Sequence, residues 1–73
     1  MDVNKQLGMR IRYLRKSKHL SIEDLALEAS INKNYLSDLE RGRRNPTVNV
    51  IEKIALALDT NLENLFKGIS SIK

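Results

Sequence analysis

No cysteine occurs in this chain, which rules out disulfides and cysteine-based zinc sites as supports for the fold. Histidine is nearly absent as well. His19 stands alone with no set of well-placed carboxylates near it, and its expected place is a solvent-facing helix end rather than a metal site. No stretch approaches the roughly 18 consecutive apolar residues of a membrane span, and the opening "MDVNKQLGMRIR" lacks the apolar core of a signal peptide. A cytoplasmic protein without membrane contact is the expectation. Alternating, strand-type hydrophobicity persists nowhere, and internal repeats and low-complexity linkers are missing. There is no nucleophile–base–acid set and no glycine loop to cradle phosphates, so no enzymatic activity, cofactor or metal is expected.

What is present is a short, periodic and unevenly charged chain. At 73 residues with 41% apolar content it is expected to form one domain, residues 1–73. Chains of this size bury only about 60% of the surface that the unfolded form exposes, so a partner is expected to assist stability. The formal net charge is +4, and its distribution says more than its total. Residues 5–18 carry Lys5, Arg10, Arg12, Arg15, Lys16 and Lys18 with no acid among them, and Arg41, Arg43 and Arg44 follow later. Residues 45–73 balance their charges. Concentrated positive charge favours a polyanionic partner, either nucleic acid or a membrane face.

Helical periodicity runs almost unbroken. Val3, Leu7, Ile11 and Leu14 predict a first helix over about 4–17 with an apolar stripe. Ser21 followed by Asp24 reads as a capping-box variant opening a second helix that buries Ile22, Leu25, Ala26 and Ala29. Asn32 caps a third helix, about 33–41, with Leu36 and Leu39 inward and Gly42 as its stop. Thr47 caps a fourth, burying Val50, Ile51, Ile54, Ala55 and Leu58. Thr60 with Glu63 suggests another capping box, before a fifth helix lined by Leu62, Leu65, Phe66 and Ile69. The predicted class is all-α with five helices.

The segment "SINKNYLSDLERGRRNP", residues 30–46, packs Lys33, Asn34, Ser37 and Asp38 beside Ile31, Leu36 and Leu39. Two short helices joined by about three residues must cross steeply, with the small Ala26 where their backbones approach. This pattern resembles the helix-turn-helix of the phage repressor and Cro type. The likeness extends over about residues 5–67, through "LERGRRNP" and "IEKIALAL", and leaves residues 68–73 as a short tail. Two departures stand out: Ser30 occupies a turn position where the family commonly has glycine, and Ile22 stands where it usually has a phosphate-contacting glutamine.

The resemblance implies a compact repressor-like domain whose third helix reads double-stranded DNA. Lys33 and Asn34 would meet base edges, lysine suiting guanine acceptors and asparagine suiting adenine, with Ser37 an adaptable neighbour. Asp38 has three readings: accepting from cytosine, repelling phosphates, or pairing with a nearby base such as Arg41. The last two together are favoured. Tyr35 either bonds a phosphate or packs over the turn, and Arg43, Arg44 and Asn45 would follow the DNA backbone. Ser21 and the backbone N–H groups behind it would meet another phosphate. Arg15 and Glu40 are expected to form a structural ion pair that fixes the reading helix.

The implied function is a nucleoid-associated transcription regulator, a homodimer on a partly palindromic operator, with no small-molecule effector. A phage-type repressor and a restriction–modification controller both fit. An antitoxin or adaptor binding a protein partner is the alternative. With Leu62 and Leu65 assigned to the core, Phe66, Ile69 and Ile72 are left for the dimer interface.

Overall fold

A computed structural model describes residues 2–69. These form five helices: α1 Val3–Ser17, α2 Ile22–Ala29, α3 Lys33–Glu40, α4 Val48–Ala57 and α5 Leu62–Leu65. No strand occurs among the described residues, as the sequence pattern predicts. No helix among them is long and apolar enough to cross a membrane.

Every helix start is closed by a side chain. Asp2, Ser21, Asn32, Thr47 and Asn61 each accept a backbone N–H from the first turn of the helix they precede. At α2 the full reciprocal box forms, with Asp24 N–H donating to Ser21 Oγ at 2.9 Å and Ser21 N–H donating to Asp24 Oδ2 at 3.0 Å. Hydrogen bonds from the Ser21 backbone N–H and then from its side chain hold the Asp24 carboxyl below its ordinary range. A carboxyl depressed in the folded state stabilises above its unfolded value, and that contribution is lost as pH falls through the folded one.

Four helix ends share one solution. After α1, α2, α3 and α4 a residue enters the left-handed region: His19 (φ 60°), Ser30 (φ 57°), Gly42 (φ 77°) and Asp59 (φ 56°). The N–H groups that follow double back, Leu20 to Arg15 O, Ile31 to Ala26 O, Arg43 to Asp38 O and Thr60 to Ala55 O, all between 2.9 and 3.1 Å. This is the paired closure of a Schellman motif, and three of the four use a residue that resists positive φ.

The same closure corrects the expected start of α5. Thr60 is committed to ending α4, so the capping role passes to Asn61, whose Oδ1 accepts Asn64 N–H at 2.7 Å. The Thr60 hydroxyl instead accepts from Asn64 Nδ2. α5 is also shorter than its apolar run suggests, ending at Leu65 with Gly68 in the left-handed region. Leu65 is fully buried, but Leu62 is 39% exposed, whereas Phe66 and Ile69 pack partly against the core. The expected burial of Leu62 is therefore reversed, and Val3, the first residue of α1, likewise lies outside the core.

The helices pack as a closed ring, α1 on α3, α3 on α2, α2 on α4, α4 on α5 and α5 back on α1. Ile11, Leu25, Leu36, Leu39, Ile54, Leu58 and Leu65 fill its centre, so all five helices or their caps contribute. The α1–α3 approach depends on Gly8. A side chain there would press on the carbonyl oxygen of Leu39 and lie 2.7 Å from that of Glu40.

Two glycine exchanges should run against helix propensity. Gly8→Ala would normally gain about 0.5–1 kcal/mol inside a helix, but here it should lower the urea midpoint by forcing α1 off α3. Ser30→Gly should raise that midpoint, relieving a left-handed strain of roughly 1–2 kcal/mol that is only partly offset by glycine's backbone entropy.

Candidate nucleic-acid interface

The third helix is held from behind and free in front. Leu36, Leu39 and Glu40 face the core, while Lys33 and Asn34 are exposed and Ser37 and Asp38 half-exposed. Spacings of three and four residues along a helix place Asn34, Ser37, Asp38 and Arg41 along one outward side. Asn32 Oδ1 accepts the N–H groups of Asn34 at 2.8 Å and Tyr35 at 3.1 Å, which fixes the first turn. Ser21, Ile22, Glu23, Lys33, Asn34 and Ser37 line a shallow groove between the start of α2 and this face.

Behind the helix lies the expected ion pair. Arg15 Nε sits 2.8 Å from Glu40 Oε2 and Nη2 sits 3.0 Å from Oε1, a two-pronged contact, and both residues are buried. Arg15 Nη1 donates to the Leu20 carbonyl at 2.8 Å, so all three guanidinium nitrogens have partners. Gly8 and Arg15 lie two turns apart on α1, and both meet the end of α3. One face of α1 therefore sets the attitude of the outward side.

Two of the cations at this face, Lys33 and Arg44, are already partnered. Lys33 Nζ lies 3.3 Å from Glu23 Oε2, an exposed pair linking α3 to α2. Arg44 Nε lies 3.5 Å from Asp38 Oδ2, and its guanidinium stands 5.5 Å above the Tyr35 ring. Asp38 thus pairs with Arg44 and not with Arg41, because the Gly42 turn folds the following loop back along α3. Arg41 stays exposed with no ion-pair partner among the described residues. Tyr35 is half-buried against the core with Arg44 on its face, which supports the packing reading.

The remaining expected contacts are placed as follows. Arg43, Arg44 and Asn45 are exposed on the loop after α3. Ser21 is exposed, with its hydroxyl engaged in the α2 cap. His19 is exposed at the end of α1. Ile22 is half-buried against the core, so its apolar side chain is used for packing. Ile72 lies outside the described residues. No group of three or more His, Asp or Glu side chains among the described residues could hold a metal ion.

Two contributors escaped the sequence reading. Arg10 reaches from α1 to α5, donating through Nη2 to Asn64 O at 2.8 Å and through Nε at 3.2 Å. It also stacks 5.6 Å from the Tyr13 ring. Nothing in its local sequence separates it from the other cations of α1. Gly8 carried a readable signal, since a glycine inside an otherwise strong helix marks a close approach.

The family model described as "Helix-turn-helix" matches residues 11–65, and the chain belongs to that family. Over 61 residues it is 43% identical to the HTH-type transcriptional regulator SlrR of Bacillus subtilis, covering 82% of this chain and 40% of that protein. Over 59 residues it is 42% identical to the control protein C.BamHI of Bacillus amyloliquefaciens, covering 80% of this chain and 73% of that one. The crystal structure of the restriction–modification controller C.AhdI from Aeromonas hydrophila superposes with a TM-score of 0.83 at 40% identity, covering 85% of this chain and 94% of that one. The controller C.Esp1396I, solved as a tetramer with its natural 35-base-pair operator, gives 0.84 at 27% identity, covering 92% and 88%. The chain spans only about half of several relatives, 50% of the regulator DdrOP3 and 54% of SinR.

Breaking the buried pair from one side tests how α3 is held. Arg15→Met should destabilise the fold by about 3–5 kcal/mol, because Glu40 would keep a buried charge without its partner. The double change Arg15→Met with Glu40→Leu should recover much of that loss. Thermal melts of the parent, the two single variants and the double variant measure the coupling, and a fully stable Arg15→Met would refute it.

Proposed function

We propose that this chain is a sequence-specific regulator of transcription that binds double-stranded DNA as a homodimer on a partly palindromic operator. The observation that carries the reading is the exposed face of Lys33, Asn34, Ser37 and Asp38, followed at once by Arg41, Arg43 and Arg44, on a helix locked from behind. A face of this kind fits the major groove, while the arginine loop suits the phosphate backbone. Similarity to C.BamHI, C.AhdI and the operator-bound C.Esp1396I favours a controller of the restriction–modification type. A regulator that acts on the nucleoid would work in the cytoplasm, and such a function requires no catalysis.

In this reading Lys33, Asn34 and Ser37 contact base edges, and Ser21, Tyr35, Arg43, Arg44 and Asn45 face phosphates. Dimerisation through the α5 region would set two reading helices about 34–36 Å apart on one face of the duplex. Phe66 and Ile69, already partly used by the core, would share that contact with the exposed Leu62.

Asn34→Ala should cost about 1–3 kcal/mol on a selected operator and relax one base position per half-site in a binding selection. Arg43→Ala should weaken all duplexes alike and lower the salt slope by about 1. Unchanged selectivity in Asn34→Ala would sink the base-contact assignment. Leu62→Asp should leave the helical signal intact, since that side chain is exposed, yet shift sedimentation towards monomer. A variant that stays dimeric at micromolar concentration would place the interface elsewhere.

A further inference from the structure

The ion pair between Asp38 and Arg44 lies on the very surface offered to DNA. A carboxylate there is unfavourable for generic binding, because phosphates repel it and most base edges in the major groove present acceptors. The structure shows how the free protein masks it. Arg44 Nε stands 3.5 Å from Asp38 Oδ2, its guanidinium lies over Tyr35, and the Asp38 side chain is 30% exposed against 53% for Arg44. The loop bearing Arg44 is pinned to the same residue, since the N–H groups of Arg41 and Arg43 donate to the Asp38 carbonyl at 3.2 and 2.9 Å.

We propose that Asp38 is a specificity-determining residue that reads the exocyclic amino group of a cytosine, and that Arg44 masks its carboxylate until a phosphate draws the guanidinium away. This rests on the DNA-binding reading above and deepens it. An exposed ion pair holds its partners only weakly, so the exchange is accessible. On a cognate site both partners are satisfied again, Arg44 by a phosphate and Asp38 by the cytosine N4 amino group, the major-groove donor that a carboxylate accepts from. Adenine N6 is a poorer match, because the neighbouring N7 acceptor would face the same carboxylate. On any other sequence Arg44 either stays with Asp38, forfeiting a phosphate contact, or leaves a bare carboxylate in the groove. Asp38 thus subtracts from generic binding and adds to cognate binding, which is how a repulsive element creates discrimination. Position supports the role, since Asp38 lies one turn beyond Asn34 on the outward side of α3.

The Lys33–Glu23 pair, 3.3 Å apart, supplies the internal control. Glu23 sits on α2 with its side chain 73% exposed, and no base donor is assigned to it. Removing it should change charge without touching the cytosine that Asp38 reads.

The test uses the full chain and two duplexes of equal length, one selected by the parent from a randomised pool and one scrambled. Asp38→Ala should weaken binding to the selected duplex roughly tenfold while strengthening binding to the scrambled one roughly two- to fivefold. A repeated selection should lose a cytosine preference at one position per half-site, and Asp38→Asn should move that preference towards adenine. Glu23→Gln should strengthen both duplexes and leave the cytosine preference unchanged. If Asp38→Ala behaves like Glu23→Gln, the carboxylate is only a charge and the inference is overturned, with the DNA-binding reading intact. A parent that selects no sequence at all would overturn both.

Discussion

The contact between Arg15 and Glu40 is the constraint on which the outward surface depends. Glu40 is the last residue of α3, where the helix carbonyls already concentrate negative potential and an unpaired carboxylate would be unfavourable. Arg15 removes that conflict with two parallel hydrogen bonds and uses its remaining nitrogen on the carbonyl of Leu20, the residue whose N–H closes α1. Among the described residues no buried side-chain nitrogen or oxygen lacks a partner. Burial of so much charge is tolerated only under that condition. The pair adds direction more than strength: it fixes which side of α3 faces inward, and so which side faces out.

That orientation is reinforced by backbone geometry. At Gly8 the chain of α1 comes within reach of the last carbonyls of α3, closer than any side chain would permit. Gly42 then turns the chain in the left-handed region, at a point where a Cβ would lie 2.8 Å from the Lys5 Cα. The reversal carries Arg43, Arg44 and Asn45 back beside α3 instead of away from it. The ring of five helices packs α3 against α1 and α2, and Lys33 and Asn34 on its other side stay exposed.

Electrostatics on that front is more balanced than the net charge of +4 suggests. Lys33 and Arg44 each lean on an acid, Glu23 and Asp38. Excess positive charge alone would bind any duplex, because phosphate contacts carry no sequence information. In the proposed function the two acids would restrain such binding.

Periodicity and caps determined much of this protein in advance. The five helices, the starts at Ser21, Asn32 and Thr47, the stop at Gly42 and the buried residues of α2 to α4 follow from local rules, because each depends on side chains within one turn of the backbone they satisfy. The pairing of Arg15 with Glu40 was legible only through family likeness, since 25 residues separate the partners. Tertiary structure alone decided the rest. It gave Asp38 to Arg44 because the direction of the loop after Gly42 depends on α1 packing behind it. It exposed Leu62, because Thr60 was already engaged in closing α4, which moved the start of α5 by one residue. It recruited Arg10 to the α5 backbone and determined which carbonyls Gly8 approaches. Such outcomes turn on which chain segments meet across the ring, and no local pattern encodes the distance between residues that are neighbours only after folding.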